Sequence, residues 1–178
     1  MGEYYIATFL DQAGRITRAV HPADYGLGER LGVQTREGTP FLLAVETLLA
    51  LDGGSRLVWA GDYAPTEPGH DTNLYWAVQP HQFVRFEGLI DLTADITANT
   101  PRPALRLRTH IYVCNIDRRE YFDKRELPLD DYEQPRNMLP ALTAHGHGRP
   151  ERWARDRIYI TDTHPDHTWT KVPGLLWT

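Results

Sequence analysis

The sequence predicts an α+β domain in which one strong helix, over about 39–52, packs on a mainly antiparallel β-sheet. Three observations carry that expectation. Thr39-Pro40 leads a run of apolar residues at helical spacing, several other stretches alternate apolar with polar residues, and no regular βαβ rhythm joins them.

Tyr4 to Leu10 is aromatic and β-branched, Asp11-Gln12-Ala13-Gly14 is turn chemistry, and Arg15 to Val20 alternates, so the chain opens with a hairpin. Glycines interrupt every pattern from His21 to Gly38. Thr39 then offers an N-cap and Pro40 a first-turn proline. Phe41, Ala44, Val45, Leu48 and Leu49 share one helix face, Leu42, Leu43 and Leu51 widen it, and Gly53-Gly54 ends it. Arg56 to Ala60 reads as a short buried strand that opens into Gly61-Asp62-Tyr63 and a polar, proline-bearing loop from Ala64 to Thr72. Gln82 to Glu87 alternates and predicts a strand, as does Leu105 to Cys114, with a crossing loop from Thr93 to Pro103 between them. Asn115 to Arg119 turns the chain and Glu120-Tyr121-Phe122 returns as a hairpin partner. Leu127 to Pro135 is an acidic loop, Met138 to Thr143 holds a helical turn limited by Pro140, and Arg157 to Ile160 is a last strand.

A chain of 178 residues buries about two thirds of its unfolded surface, and without a repeat or a composition break residues 1–178 read as a single domain. Apolar runs of only a handful of residues argue against a membrane span. Met1-Gly2-Glu3-Tyr4 lacks the basic start and apolar run of a secretory signal, and Cys114, the only cysteine, cannot form an intramolecular disulfide, so a cytoplasmic setting is expected. Residues 1–100 carry net −7 and residues 101–178 net +2, so neither part has the strong positive charge that nucleic acid demands.

There is no phosphate-binding P-loop, no G-x-S-x-G and no dinucleotide fingerprint. The sharpest constellation is His145-Gly146-His147 with Asp162, His164, Asp166 and His167 further on. Two imidazoles of an H-x-H pair and a third ligand could hold zinc or another divalent metal with a position left for water, which is the arrangement of a metal-dependent hydrolase. Glycines on both sides of His147 favour a loop, where scattered surface histidines are the commoner case. A row of Arg106, Arg108, His110 and Tyr112 could bind a phosphate or nucleotide, or form an ordinary wet sheet face. Asp62-Tyr63 at a strand end, with Arg149, Arg155 and Asp156 around Trp153, is the third grouping; such residues bind ligands, or cap turns and seal cores.

Three blocks carry a resemblance: Trp59-Ala60-Gly61-Asp62-Tyr63-Ala64, then Asn115 leading to Glu120-Tyr121, then Gly146-His147-Gly148-Arg149 before Trp153-Ala154-Arg155-Asp156. They resemble a scattered family of small uncharacterised proteins with Trp-Ala-Gly-Asp-Tyr-Ala and Gly-x-Gly-Arg…Trp-Ala-Arg-Asp blocks, which brings no known activity. The resemblance implies that the shared role belongs to Asp62, Asn115, Tyr121, Arg149 and Asp156, and that His145 and His147 are peculiar to this chain.

These readings together predict a cytoplasmic, non-catalytic binding or protein-interaction domain, accessory or immunity-like, without a cofactor. Its binding residues are expected to be Asp62, Tyr63, Asn115, Tyr121, Arg149, Trp153 and Asp156, with contacts through the Asp62–Thr72 loop and the Gly146–Asp156 region. The partner is another protein or a small ligand, with self-association left open. The alternatives are a metal-dependent hydrolase using His145, His147 and His164, and a nucleotide- or phosphate-binding module on the Arg106-to-Tyr112 face.

Overall fold

A computed structural model describes residues 2–86 and 110–174. The expected crossing loop, Arg106, Arg108 and the first half of the Leu105-to-Cys114 strand lie outside the described residues. The hairpin is present as β1 (Tyr5–Leu10) and β2 (Ile16–Val20), paired antiparallel. After a short helical turn α1 (Leu31–Gln34) comes α2 (Pro40–Leu51), then β3 (Ser55–Gly61) and a second short turn α3 (Leu74–Ala77). The rest comprises β4 (Tyr112–Asn115), β5 (Glu120–Asp123), α4 (Leu139–Thr143), β6 (Ala144–His145), β7 (Arg157–Thr161) and β8 (Thr170–Lys171).

All eight strands join one sheet in the order β2-β1-β3-β7-β4-β5-β8, with β6 beside β3. The fold is α+β, but the sheet is mixed, which corrects the expectation of a mainly antiparallel one: β6 runs parallel to β3 and β8 parallel to β5. The predicted strand at Gln82 to Glu87 is also corrected. Pro80–Gln82 forms a 3₁₀ turn, and Phe83 makes a single bridge to Ala19. Proline at its start, with Gln79 and Gln82 closing a capping box, favours the turn over an extended strand.

Period-two alternation explains the packing. On one face of the sheet Tyr5, Ala7, Phe9, Leu57, Trp59, Val113, Phe122, Ile158 and Ile160 meet α2 in the main core. The other face splits into two smaller clusters. Ile6, Leu10, Val58 and Ala60 lie under Leu74 and Val78, while Tyr112, Cys114 and Tyr121 pack with Tyr159 and Trp169. Because both faces are covered, every residue of β1 is buried, which is why its sequence is apolar at every position except Thr8 instead of alternating. Helix α2 follows its sequence signals: Thr39 accepts the Leu42 amide, Pro40 opens the first turn, and Phe41, Ala44, Val45, Leu48 and Leu49 are buried.

Two polar assemblies pin this core. The Trp59 indole donates to Gln34 Oε1 at 2.5 Å, while Gln34 Nε2 donates to the Tyr5 carbonyl, so α1 is tied to β1 and β3 inside the core. Glu46, on the apolar face of α2, receives Lys124 Nζ at 2.7 Å and Asn137 Nδ2 at 3.0 Å; Glu37 receives the same two donors at 2.8 and 2.7 Å. Burial holds the Glu46 carboxyl above its ordinary value, and the Lys124 charge opposes that rise.

Candidate functional site

Strand β3 ends at Gly61, and the backbone turns at Asp62. The turn is held from four directions: Asp62 N–H donates to the Tyr4 carbonyl, Tyr4 N–H donates to Asp62 Oδ1 at 2.9 Å, and Asn73 Nδ2 and the Trp76 indole both donate to the Asp62 carbonyl. Asn73 also caps α3 by accepting the Trp76 amide at 3.2 Å, so one side chain fixes both the loop and the short helix that carries Trp76. The result is an aromatic corner. Tyr75 and Trp76 meet edge to face at 4.9 Å, and Trp76, Tyr63 and Tyr4 are 63%, 51% and 41% exposed.

Beside this corner lies a cleft of about 660 Å³, walled by Ile16, Glu67, Asp71, Trp76, Gln82 and Arg155 among others. Its size falls in the range of small-ligand sites. Arg155 crosses to the loop and pairs with Glu67 through both guanidinium nitrogens. Arg155 also has a left-handed backbone, φ 70°, held by its N–H on the Leu57 carbonyl and by Arg56 on its own carbonyl. That conformation is uncommon for a residue with a Cβ and aims the guanidinium across the cleft edge. The two segments expected to form one surface, Asp62–Thr72 and Gly146–Asp156, are thus joined at the Glu67–Arg155 pair.

Behind the corner the backbone is crowded. Glu3 accepts the Tyr5 hydroxyl at 2.8 Å and the His147 amide at 2.6 Å. A Cβ on Gly61 would stand 2.8 Å from Gly146 Cα, and one on Gly146 would collide with Glu3 and the Tyr5 hydroxyl. Glycine at both positions is therefore a packing requirement of the Glu3 clasp.

Several residues expected to bind a partner are engaged within the fold. Trp153 is wholly buried, stacked on Phe122 at 5.9 Å, with its indole donating to Glu120 at 2.7 Å. Asn115 is fully buried and donates to Asp156 Oδ2 at 2.9 Å; Arg118 Nε completes that carboxylate at 2.6 Å. Tyr121 is buried on the opposite sheet face. Asp62 and Tyr63 keep their place at the surface, and Arg149 is exposed on the loop before Trp153.

The histidines do not converge. His145 sits on β6 beside Ala60, where burial first and the Arg155 charge second hold its imidazole below the ordinary value. His147 is exposed, whereas the His164 ring packs on Tyr112 and Tyr121 at 5.1 and 5.6 Å, at β4 and β5. Among the described residues no group of three or more His, Cys, Asp or Glu side chains is placed to hold a metal ion. The same contact covers Tyr112, while His110, the other described member of the expected Arg106-to-Tyr112 face, is half-buried with its Nδ1 3.6 Å from Asp162 Oδ1.

Trp76 had no place among the sequence-level candidates. Its signal is legible in retrospect: Asn73, a strong N-cap, directly precedes Leu74-Tyr75-Trp76, and adjacent aromatics on a helix point about 100° apart, so the face that buries Leu74 does not take both rings.

No family model matches the chain, and neither a curated protein nor a solved structure does. Among the described residues no helix is long and apolar enough to cross a membrane.

Proposed function

We propose that this chain is a cytoplasmic, non-catalytic binding domain, accessory or immunity-like, that contacts a protein partner through the Asp62 corner and the adjoining cleft. The observation that carries this is Trp76, 63% exposed yet fixed by its indole bond to the Asp62 carbonyl and by its contact with Tyr75. A large, rigid, half-wet aromatic loses little entropy on docking, and Trp, Tyr and Arg are the residue types that dominate interface energetics. Tyr4, Tyr63 and Arg155 supply the others within the same surface.

A photo-crosslinking residue in place of Tyr63, compared with one at Leu51, tests the proposal in a native lysate. Leu51 is 71% exposed but precedes β3, whose seven residues span roughly 20 Å between the two sites. One adduct of defined mass from position 63 and none from position 51 supports the reading. Adducts from both, or none from position 63, contradict it.

A further inference from the structure

We infer that the Asp62 corner receives a cationic side chain, so that the partner presents a basic peptide segment to it. This rests on the binding reading and adds the chemistry of what is bound. Asp62 Oδ1 is fixed by the Tyr4 amide, whereas among the described residues Oδ2 has no bonding partner and no arginine, lysine or histidine pairs with this carboxylate. Around it stand Tyr4, bonded to Asp62 through both backbone groups, Trp76, bonded to its carbonyl, and Tyr75 against Trp76.

The charged side chains that act on Tyr5 and Tyr75 are carboxylates. Glu3, Asp62 and Glu151 act on Tyr5, and Glu29 and Asp62 act on Tyr75; together with burial, the larger cause for each, they hold the phenols in their neutral form. Of the nearby basic side chains, His21 lies 3.1 Å from Glu29 and Arg155 is paired with Glu67, while Arg30 lies beside Gly2 and forms no ion pair with Asp62.

Three occupants can be compared on physical grounds. An apolar side chain packed on Trp76 and Tyr4 would strip water from Oδ2 and offer no donor, leaving a desolvated carboxylate. An acidic segment or a phosphate backbone would meet like charge. An arginine or lysine places its donors on Oδ2 and its cation over the aromatic faces, and the two attractions reinforce each other.

The test follows the Trp76 indole N–H in nitrogen-15 NMR spectra of the full chain, its signal being the one lost in Trp76→Phe. The probes are end-blocked tetra-arginine and tetra-glutamine peptides. The expected result is a saturable shift with tetra-arginine that weakens as salt rises, and no saturable shift with tetra-glutamine. Asp62→Asn should weaken binding roughly tenfold while its amide oxygen still accepts the Tyr4 N–H, so the corner stays folded. Equal responses to both peptides, no response to either, or an unchanged affinity in Asp62→Asn would overturn the inference. If the position-63 adduct forms all the same, only the cationic chemistry falls. Absence of that adduct removes the binding reading itself.

Discussion

At the residue scale, the side chains that hold the chain differ from those that face outward in what their polar atoms bond. Trp59 and Trp153 are buried with their indole N–H groups bonded to Gln34 and Glu120, whereas Trp76 spends its indole bond on fixing an exposed ring. Trp59→Phe leaves Gln34 Oε1 buried without a donor and should cost about 1–3 kcal/mol, read by urea denaturation. Gly146→Ala forces a methyl against Glu3 and Tyr5 and should cost a similar amount, about 1–3 kcal/mol. Trp76→Ala should change stability by less than about 1 kcal/mol and abolish the crosslink from position 63. Asp62 and Tyr63 were readable as candidates because they follow a strand at a glycine. The inward roles of Asn115, Tyr121, Trp153 and Asp156 were not, because a polar group looks the same in sequence whether its partner is a ligand or a residue dozens of positions away. Asn115 and Asp156 are such a pair.

At the element scale, the parts read correctly are those whose signal is local. Helix α2 has its cap, its first-turn proline and its apolar face within a dozen residues, and the β1–β2 and β4–β5 hairpins have turn residues between their strands. β6 and β8 are two residues each, too short for any periodicity, and exist only because β3 and β5 offer them an edge. Those two elements are what make the sheet mixed. Glu46 presents the same difficulty inside a helix: an acid on an apolar face is explained only by Lys124 and Asn137, which arrive from distant segments. Lys124→Met removes the charge that Glu46 and Glu37 share and should cost about 3–5 kcal/mol at neutral pH. The Glu46 carboxyl already binds its proton more tightly in the fold than in the unfolded chain, and losing Lys124 strengthens that preference. The penalty of the variant should therefore shrink as pH falls and Glu46 becomes neutral; a pH-independent penalty in denaturation curves would contradict this.

At the scale of the whole molecule, covering both faces of one sheet leaves Tyr159 on β7 and Tyr75 on α3 half-buried, and their ionisation should lower stability at alkaline pH. Tyr75 and Tyr159 are pushed up to about 12, chiefly by burial, and Cys114 to about 11 for the same main reason. These groups hold their protons more tightly when folded, so the contribution of the tyrosines is complete below 10.0 and lost as pH climbs toward about 12, and that of Cys114 is complete below 9.0 and lost toward about 11. The melting temperature followed by circular dichroism should decline across that window, with tyrosinate absorbance rising as the chain unfolds. A flat melting temperature through it would refute the assignment. The same architecture gives the candidate surface its rigidity. β3 delivers Asp62 to the sheet end, Asn73 locks the following loop and α3 to it, and the Glu67–Arg155 pair ties that loop to the segment before β7. The most direct test of that surface is hydrogen–deuterium exchange on the full chain, alone and saturated with the partner captured through position 63. Protection should rise across Asp62 to Ala77 and at Arg155, with α2 and the β4–β5 hairpin unchanged. Protection confined to those other elements, with none between Asp62 and Ala77, would contradict the account.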